Sequence, residues 1–287
     1  MISEEQFQKE LNLIIANAIR EDVGDGDHSS LACIPSEATG KAMVLVKEEG
    51  VIAGVEFAKQ VLHYVDPSIA MDIRIQDGQD VSVGDIVFYI EGSSQSILKA
   101  ERFMLNAMQR MSAIATKTRH FVTILAGTTT QILDTRKTTP GIRALEKWAV
   151  KIGGGVNHRF ALYDMIMLKD NHIDFAGGIR QAIEQTNAYL TENQKDLKII
   201  VEARNIDEVK EILECTNVHR ILLDNFDYET TKEAVLLIKD KCQTESSGNI
   251  TEQTLRAYAL CGVDYISSGA LTHSVHNLDL SLKAITQ

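Results

Sequence analysis

The chain has 287 residues, 44% hydrophobic and 24% charged, with a formal net charge of -11. That length admits one large α/β domain or two modest ones, each with a real core, and the composition is that of an ordinary globular protein. The acidic balance argues against nucleic acid as the main partner, and no apolar run is long enough to span a bilayer. The N-terminus has no signal-peptide pattern. Cys33, Cys215, Cys242 and Cys261 lie far apart with no CxxC pair, so buried reduced thiols and a cytoplasmic setting are expected.

Phe7, Leu11, Ile14, Ile15, Ala18 and Ile19 recur at helical spacing, which predicts an amphipathic helix over residues 6–20. The acidic stretch from Glu21 to Asp27 reads as a solvated turn, because its spacing is not that of an EF-hand. Short β-prone runs at 42–46, 71–75 and 86–90, with turns at Gly78 and Gly84 and one helix around 55–65, predict a small and mostly antiparallel α+β domain. A long helix over 95–125 then carries the chain onward.

After Thr130 the pattern becomes a regular alternation. Strands are expected at 131–134, 165–168, 198–202, 220–224, 242–245 and 263–267, with helices at 141–152, 178–189, 205–215, 229–240 and 251–261. Such βα units imply a parallel sheet covered by helices, and right-handed crossovers roll it toward a barrel or a doubly wound layer. Nearly every strand ends in a polar group: Arg136 and Lys137, Lys169, Glu202, Asp224, Ser247 and Gly248, Ser268 and Gly269. Convergence of many strand ends favours the barrel, and six clear units make it an incomplete one.

The run Asp134-Thr135-Arg136-Lys137-Thr138-Thr139-Pro140-Gly141 places two cations where a strand hands over to a helix. A guanidinium grips a carboxylate or phosphate as a fork, and an ammonium acts as a point charge. The basic bias continues through Arg143, Lys147, Lys151, His158 and Arg159 to Lys169, opposed only by Glu146 and Asp164. In an acidic protein this points to a strongly anionic small ligand. The glycine run Gly153-Gly154-Gly155 lets backbone approach an anion closely. Glu202 and Asp224 suit three roles: ion-pair partners of Lys137 or Lys169, general bases, or Mg²⁺ ligands alongside a substrate pyrophosphate. The late glycine turns at Ser247-Gly248-Asn249 and Ser268-Gly269 suit a phosphate cup.

These motifs together resemble the quinolinate phosphoribosyltransferases, also called nicotinate-nucleotide pyrophosphorylases (carboxylating), over nearly the whole chain. The resemblance rests on Glu21-Asp22, Gly26-Asp27, Glu101-Arg102, the Asp134–Gly141 run and Gly154-Gly155-Val156-Asn157-His158-Arg159. Leu168-Lys169-Asp170-Asn171-His172, Ser247-Gly248 and Gly269-Ala270-Leu271-Thr272-His273-Ser274 extend it. It implies an N-terminal α/β sandwich domain over 1–110, onto which a C-terminal helix at 278–287 packs back, and an incomplete α/β barrel over 111–277. It also implies transfer of phosphoribosyl from phosphoribosyl pyrophosphate to quinolinate with Mg²⁺, giving nicotinate mononucleotide, pyrophosphate and CO₂ in NAD biosynthesis.

By the same resemblance, Arg136, His158 and Arg159 hold the quinolinate carboxylates, Thr135 is a further substrate-binding residue, and Lys169 lies between the two substrates. Arg102 reaches the site of a neighbouring subunit, so a homodimer or higher oligomer with shared sites is implied. Lys137 neutralises phosphate charge. Glu202 and Asp224 bind ribose hydroxyls or the metal, and Ser247, Gly248, Asn249 and Gly269 cup the 5′-phosphate. Lys137, Lys169, Glu202 and Asp224 form the implied catalytic set. The chain departs from the family pattern at Gly26-Asp27-His28-Ser29, at Asn249, where a glycine is common, and at Ala203-Arg204. An arginine there offers Glu202 a new partner. The nearest rival is a phosphoribosyltransferase for a monocarboxylate such as nicotinate; the set Arg102, Arg136, His158 and Arg159 is richer in cations than that needs.

Overall fold

The computed structural model describes residues 2–285. In chain order its elements begin with α1 (Glu4–Val23), α2 (His28–Cys33), β1 (Thr39–Val46), β2 (Gly50–Val51), α3 (Val55–Val65), β3 (Ala70–Ile73), β4 (Asp80–Val81) and β5 (Ile86–Ser93). Then come α4 (Ser94–Ile124), β6 (Gln131–Leu133), α5 (Arg143–Ile152), β7 (Ile166–Leu168), α6 (Asp170–Ala176), α7 (Ile179–Glu192), β8 (Ile199–Ala203) and α8 (Ile206–Leu213). The chain closes with β9 (Val218–Asp224), α9 (Tyr228–Ile238), β10 (Gln243–Ser247), α10 (Glu252–Ala259), β11 (Tyr265–Ser267), α11 (Ala270–His273) and β12 (Leu280–Ala284).

Two compact units result. Among the described residues, one holds 2–119, 137–154 and 270–285, and the other 120–136 and 155–269. This differs from a single cut near residue 110: the border falls inside α4, and α5 belongs with the N-terminal elements. Local packing gives the reason. Gly153, which ends α5, sits so tightly against α4 that a Cβ there would lie 2.5 Å from the Ala115 carbonyl and 2.6 Å from the Thr118 side chain.

The first unit is built on an antiparallel sheet in the order β12-β1-β5-β3. Val44, Val46, Phe88 and Ile90 on its strands are buried, as are Phe57 and Val61 of α3 and Met104, Met108 and Met111 of α4. Ser3 and Gln6 cap α1 reciprocally, which satisfies donors that the first helical turn leaves open. The expected C-terminal helix at 278–287 is instead a strand. β12 runs antiparallel to β1 from Leu280↔Val46 to Ala284↔Ala42, and Thr286 and Gln287 lie outside the described residues. Leu280-Ser281-Leu282 alternates with period two, and the pairing satisfies the N–H and C=O groups on the second edge of β1. The segment does pack back on the N-terminal sheet, but through a ladder.

The second unit is a six-stranded parallel sheet in the order β6-β11-β10-β9-β8-β7. Each strand from β7 to β10 pairs with its successor, and β11 pairs on its other side with β6. This is a barrel stopped short of the eight strands of a closed one. Every residue of β8 is buried, as expected for parallel strands covered on both faces. The glycine run has a role its sequence does not announce. Val156 lies parallel to Leu133 on the free side of β6, its N–H donating to the Ile132 carbonyl at 2.9 Å and its carbonyl accepting from Asp134 N–H at 3.2 Å. The run thus delivers an abbreviated extra strand beside β6.

Candidate active site

All expected groups of the second unit stand at the carboxyl ends of its strands or in the turns just beyond. Arg136 follows β6, Lys169 follows β7 as the N-cap of α6, Glu202 is the penultimate residue of β8, Asp224 ends β9, and Ser247 ends β10. Ser247 is paired with Asp224 across the β10–β9 ladder, so the glycine turn and that carboxylate share one level. Gly269 follows β11. Lys137 and Arg102 belong to the first unit, both exposed, the latter on α4.

The anion-holding side is organised from behind by Asp134, which is fully buried after β6. Its carboxylate accepts the His158 N–H at 2.8 Å and the Asn157 side-chain amide at 2.6 Å. The Arg159 N–H donates to His158 Nδ1 at 2.7 Å, which leaves the proton of a neutral imidazole on Nε2. That Nε2 lies 3.3 Å from Glu245 Oε2. His158 is therefore buried and engaged at both ring nitrogens, and it can grip a ligand carboxylate only by giving up one of these partners.

Arg159 is 7% exposed, and its guanidinium donates to the Met165 carbonyl at 3.2 Å. Burial, and then the charge of Arg136, push its pKa below the ordinary arginine value, with Asp164 opposing. The charge of Arg136 is thus felt at the buried Arg159 guanidinium. An arginine keeps its charge under such stress, so the arrangement favours an anion between them.

Glu202 is 6% exposed and lies 3.4 Å from Lys169 Nζ through Oε2; its Oε1 accepts the Asp170 N–H at 3.4 Å. Of the partners weighed for it, Lys169 is in contact. Burial raises its pKa, the Lys169 charge lowers it, and the Asp224 carboxylate raises it again. Asp224→Asn should therefore move the Glu202 titration down, followed by carbon NMR of the labelled carboxyl; an upward move would contradict the geometry. Arg204 does not pair with Glu202. It bonds Glu208 at 2.8 Å and Asp174 at 3.1 Å, so the departure at Ala203-Arg204 leaves the carboxylate's surroundings alone. Among the described residues no group of three or more His, Cys, Asp or Glu side chains suits a metal ion. Glu202 and Asp224 can serve a hard cation only together with oxygens from a ligand.

Asn225, Arg220 and Glu245 carry weight that the sequence reading missed. Asn225 donates to Asp224 Oδ2 at 2.7 Å, accepts from the Asn249 amide at 3.1 Å, and gives its N–H to the Ser247 carbonyl at 2.9 Å. Gly248, at φ 92°, passes so close that a Cβ there would sit 2.2 Å from Asn225 Oδ1. Asn249 itself adopts φ 49°, a conformation that asparagine tolerates better than most residues. Arg220 donates to Glu245 Oε2 at 2.8 Å and stacks over Tyr265 at 4.0 Å. A charged residue in the middle of a buried strand, as in Thr244-Glu245-Ser246, was the signal for this pair.

A cationic mouth with two carboxylates on neighbouring strands, on an incomplete parallel barrel, defines an enzyme for small, multiply charged anions. The quinolinate phosphoribosyl transferase N-terminal domain matches residues 27–112, and the C-terminal domain of the same family matches residues 114–283. The chain belongs to the quinolinate phosphoribosyltransferase family. It is 45% identical to quinolinate phosphoribosyltransferase [decarboxylating] 1b of Nicotiana tabacum, over 97% of this chain and 83% of that protein. A probable nicotinate-nucleotide pyrophosphorylase [carboxylating] of Synechocystis sp. is 40% identical over 93% and 90% of the two chains. The solved nicotinate-nucleotide pyrophosphorylase from Francisella tularensis superposes with a TM-score of 0.88 at 34% identity, covering 96% of each chain.

Proposed function

We propose that this chain transfers the phosphoribosyl group of phosphoribosyl pyrophosphate to quinolinate and releases pyrophosphate and CO₂, forming nicotinate mononucleotide for NAD biosynthesis. The observation that carries this is the pair of like-charged guanidiniums, Arg136 and the buried Arg159, at the mouth of a barrel whose next strand ends in Lys169. A pyridine dicarboxylate offsets that charge. A monocarboxylate leaves more of it uncompensated.

Arg136 and Arg159 hold the quinolinate carboxylates, aided by Thr135, while His158 fixes the backbone that carries Arg159. Lys169 stands between the substrates and favours the charged form of Glu202 against the effect of its burial. The pyridine nitrogen forms its bond to the anomeric carbon as the bond to the pyrophosphate oxygen breaks, so the sugar acquires oxocarbenium character. Glu202 and Asp224 face the ribose hydroxyls and offset that positive charge; Lys137 neutralises phosphate. Ser247, Gly248, Asn249 and Gly269 cup the 5′-phosphate through backbone N–H groups, with Gly248 and Asn249 at positive φ. With the nitrogen now cationic, the carbon–carboxylate bond beside it breaks, its electron pair stays on the ring carbon, CO₂ departs, and a proton replaces it.

The donor set suits Mg²⁺ in one form only. Two carboxylates on adjacent strands, Asp224 raising the proton affinity of Glu202, fit a cation shared with the pyrophosphate rather than one caged by protein. When bound, it would offset the charge of the leaving group. Arg102, exposed on α4, supports a homodimer or higher oligomer in which it completes a neighbour's quinolinate pocket.

The deciding assay supplies phosphoribosyl pyrophosphate and Mg²⁺ with either quinolinate or nicotinate, and measures CO₂ and nicotinate mononucleotide. Stoichiometric CO₂ from quinolinate is the expected result. Turnover of nicotinate with none of quinolinate would sink the reading.

A further inference from the structure

We infer that Glu146 is a positioning residue for the phosphate-neutralising cation Lys137, acting through Thr139 and Arg110; this rests on the reading of Lys137 given above. Glu146 lies on α5 and is fully buried, an unusual place for a carboxylate that nothing so far has used. Its Oε1 accepts from Arg110 Nε at 3.0 Å and from the Thr139 hydroxyl at 2.8 Å, and its Oε2 accepts the Thr139 N–H at 3.0 Å. A second Arg110 nitrogen stands 2.8 Å from Oε1. The carboxylate is thus saturated by one guanidinium and by both donors of a single loop residue.

The same guanidinium reaches further. Arg110 also donates to the Thr272 carbonyl, and the Thr272 hydroxyl donates to the Lys137 carbonyl at 2.8 Å. Between these two anchors, the Thr138 hydroxyl accepts from Arg143 Nε at 2.9 Å. Every residue from Lys137 to Thr139 is consequently fixed by a bond to α4, α5 or α11 within one compact unit. The Lys137 side chain is exposed on a backbone anchored at three successive residues.

A buried ion pair contributes little net stability compared with an apolar pair of the same size. What it supplies here is a fixed direction for a loop that otherwise has only Pro140 and Gly141 to shape it. A long, flexible ammonium loses less freedom on binding phosphate when its Cα is held.

The test is a double-mutant cycle between Thr139→Val and Lys137→Ala, read as the KM for each substrate. Thr139→Val removes the hydroxyl bond but leaves Glu146 and Arg110 paired, so folding is preserved, which a melting curve checks. The KM for phosphoribosyl pyrophosphate should rise roughly ten-fold in Thr139→Val, with that for quinolinate unchanged. In the Lys137→Ala background Thr139→Val should add almost nothing. Glu146→Gln should reproduce the same split, and Glu146→Asp should restore part of it. Additive effects in the cycle, or an equal rise in both KM values, would overturn the inference while leaving the Lys137 assignment intact. If Lys137→Ala alone leaves the phosphoribosyl pyrophosphate KM unchanged, the phosphate role of Lys137 fails, and this inference with it.

Discussion

Arg136→Ala should lower kcat/KM for quinolinate by roughly 10²–10³-fold, equivalent to about 3–4 kcal/mol, the usual loss when a charge-assisted fork to a carboxylate is removed. The effect has two parts. The fork itself is lost, and Arg159 keeps its buried charge without a neighbour sharing the ligand. Binding of phosphoribosyl pyrophosphate alone, measured by calorimetry, should change little, since the phosphate groups are assigned to Lys137 and to the turns after β10 and β11. Arg136→Lys separates charge from geometry. It keeps the cation but not the planar pair of donors, so kcat/KM should fall between the wild type and the alanine variant. A kcat/KM for quinolinate in Arg136→Ala equal to wild type would remove Arg136 from the site.

The same residue shows what the sequence makes legible. Arg136 is visible because an apolar run, two cations and a proline succeed one another within nine residues, and strand-to-helix turns of parallel sheets carry ligand groups. Lys169, Glu202 and Asp224 are found by the same rule, since a polar residue closing an apolar strand has little reason to be there except at a site or a surface. Helix α3 was expected at its observed span because Phe57, Ala58, Val61 and Leu62 keep helical spacing between Gly54 and Pro67.

Other features depend on tertiary partners. Leu280 to Ala284 is too short and too mixed to declare a strand until β1 offers an edge. Gly153-Gly154-Gly155 reads as a loop for approaching an anion, yet its product is the Val156 segment alongside β6. His158 is legible as a cation in a basic run, whereas its buried contact with Glu245 comes from a strand remote in sequence. Pairings such as Glu146 with Arg110 and Asn225 with Asn249 have separations that local pattern cannot encode.

Glu245→Gln should lower the unfolding free energy at neutral pH by about 3–5 kcal/mol, because removing one partner of a buried pair leaves the other charge uncompensated. Glu245 is fully buried on β10, and its Oε2 meets Arg220 at 2.8 Å and His158 at 3.3 Å. Burial alone would raise its pKa, but the His158 hydrogen bond, the Arg220 charge and the Ser267 hydrogen bond outweigh it and hold the group at about 2. The unfolded chain binds this proton near the ordinary value of 4.5, before the folded chain does. The contribution of the charged carboxylate is therefore complete above about pH 5 and disappears as pH falls through 4.5 toward 2. Denaturant titrations of both proteins should show their stability difference large at pH 7 and shrinking steadily below pH 4.5. A difference constant over that range would mean that Glu245 acts through packing instead of charge. Loss of this pair should also reach the ligand side. With His158 no longer held at Nε2, the acceptor for the Arg159 N–H is freed to turn, and the quinolinate KM should rise while that for phosphoribosyl pyrophosphate stays put. The buried pair and the anion grip are joined through one imidazole, so a variant that weakens the fold in acid should weaken the hold on the dicarboxylate as well.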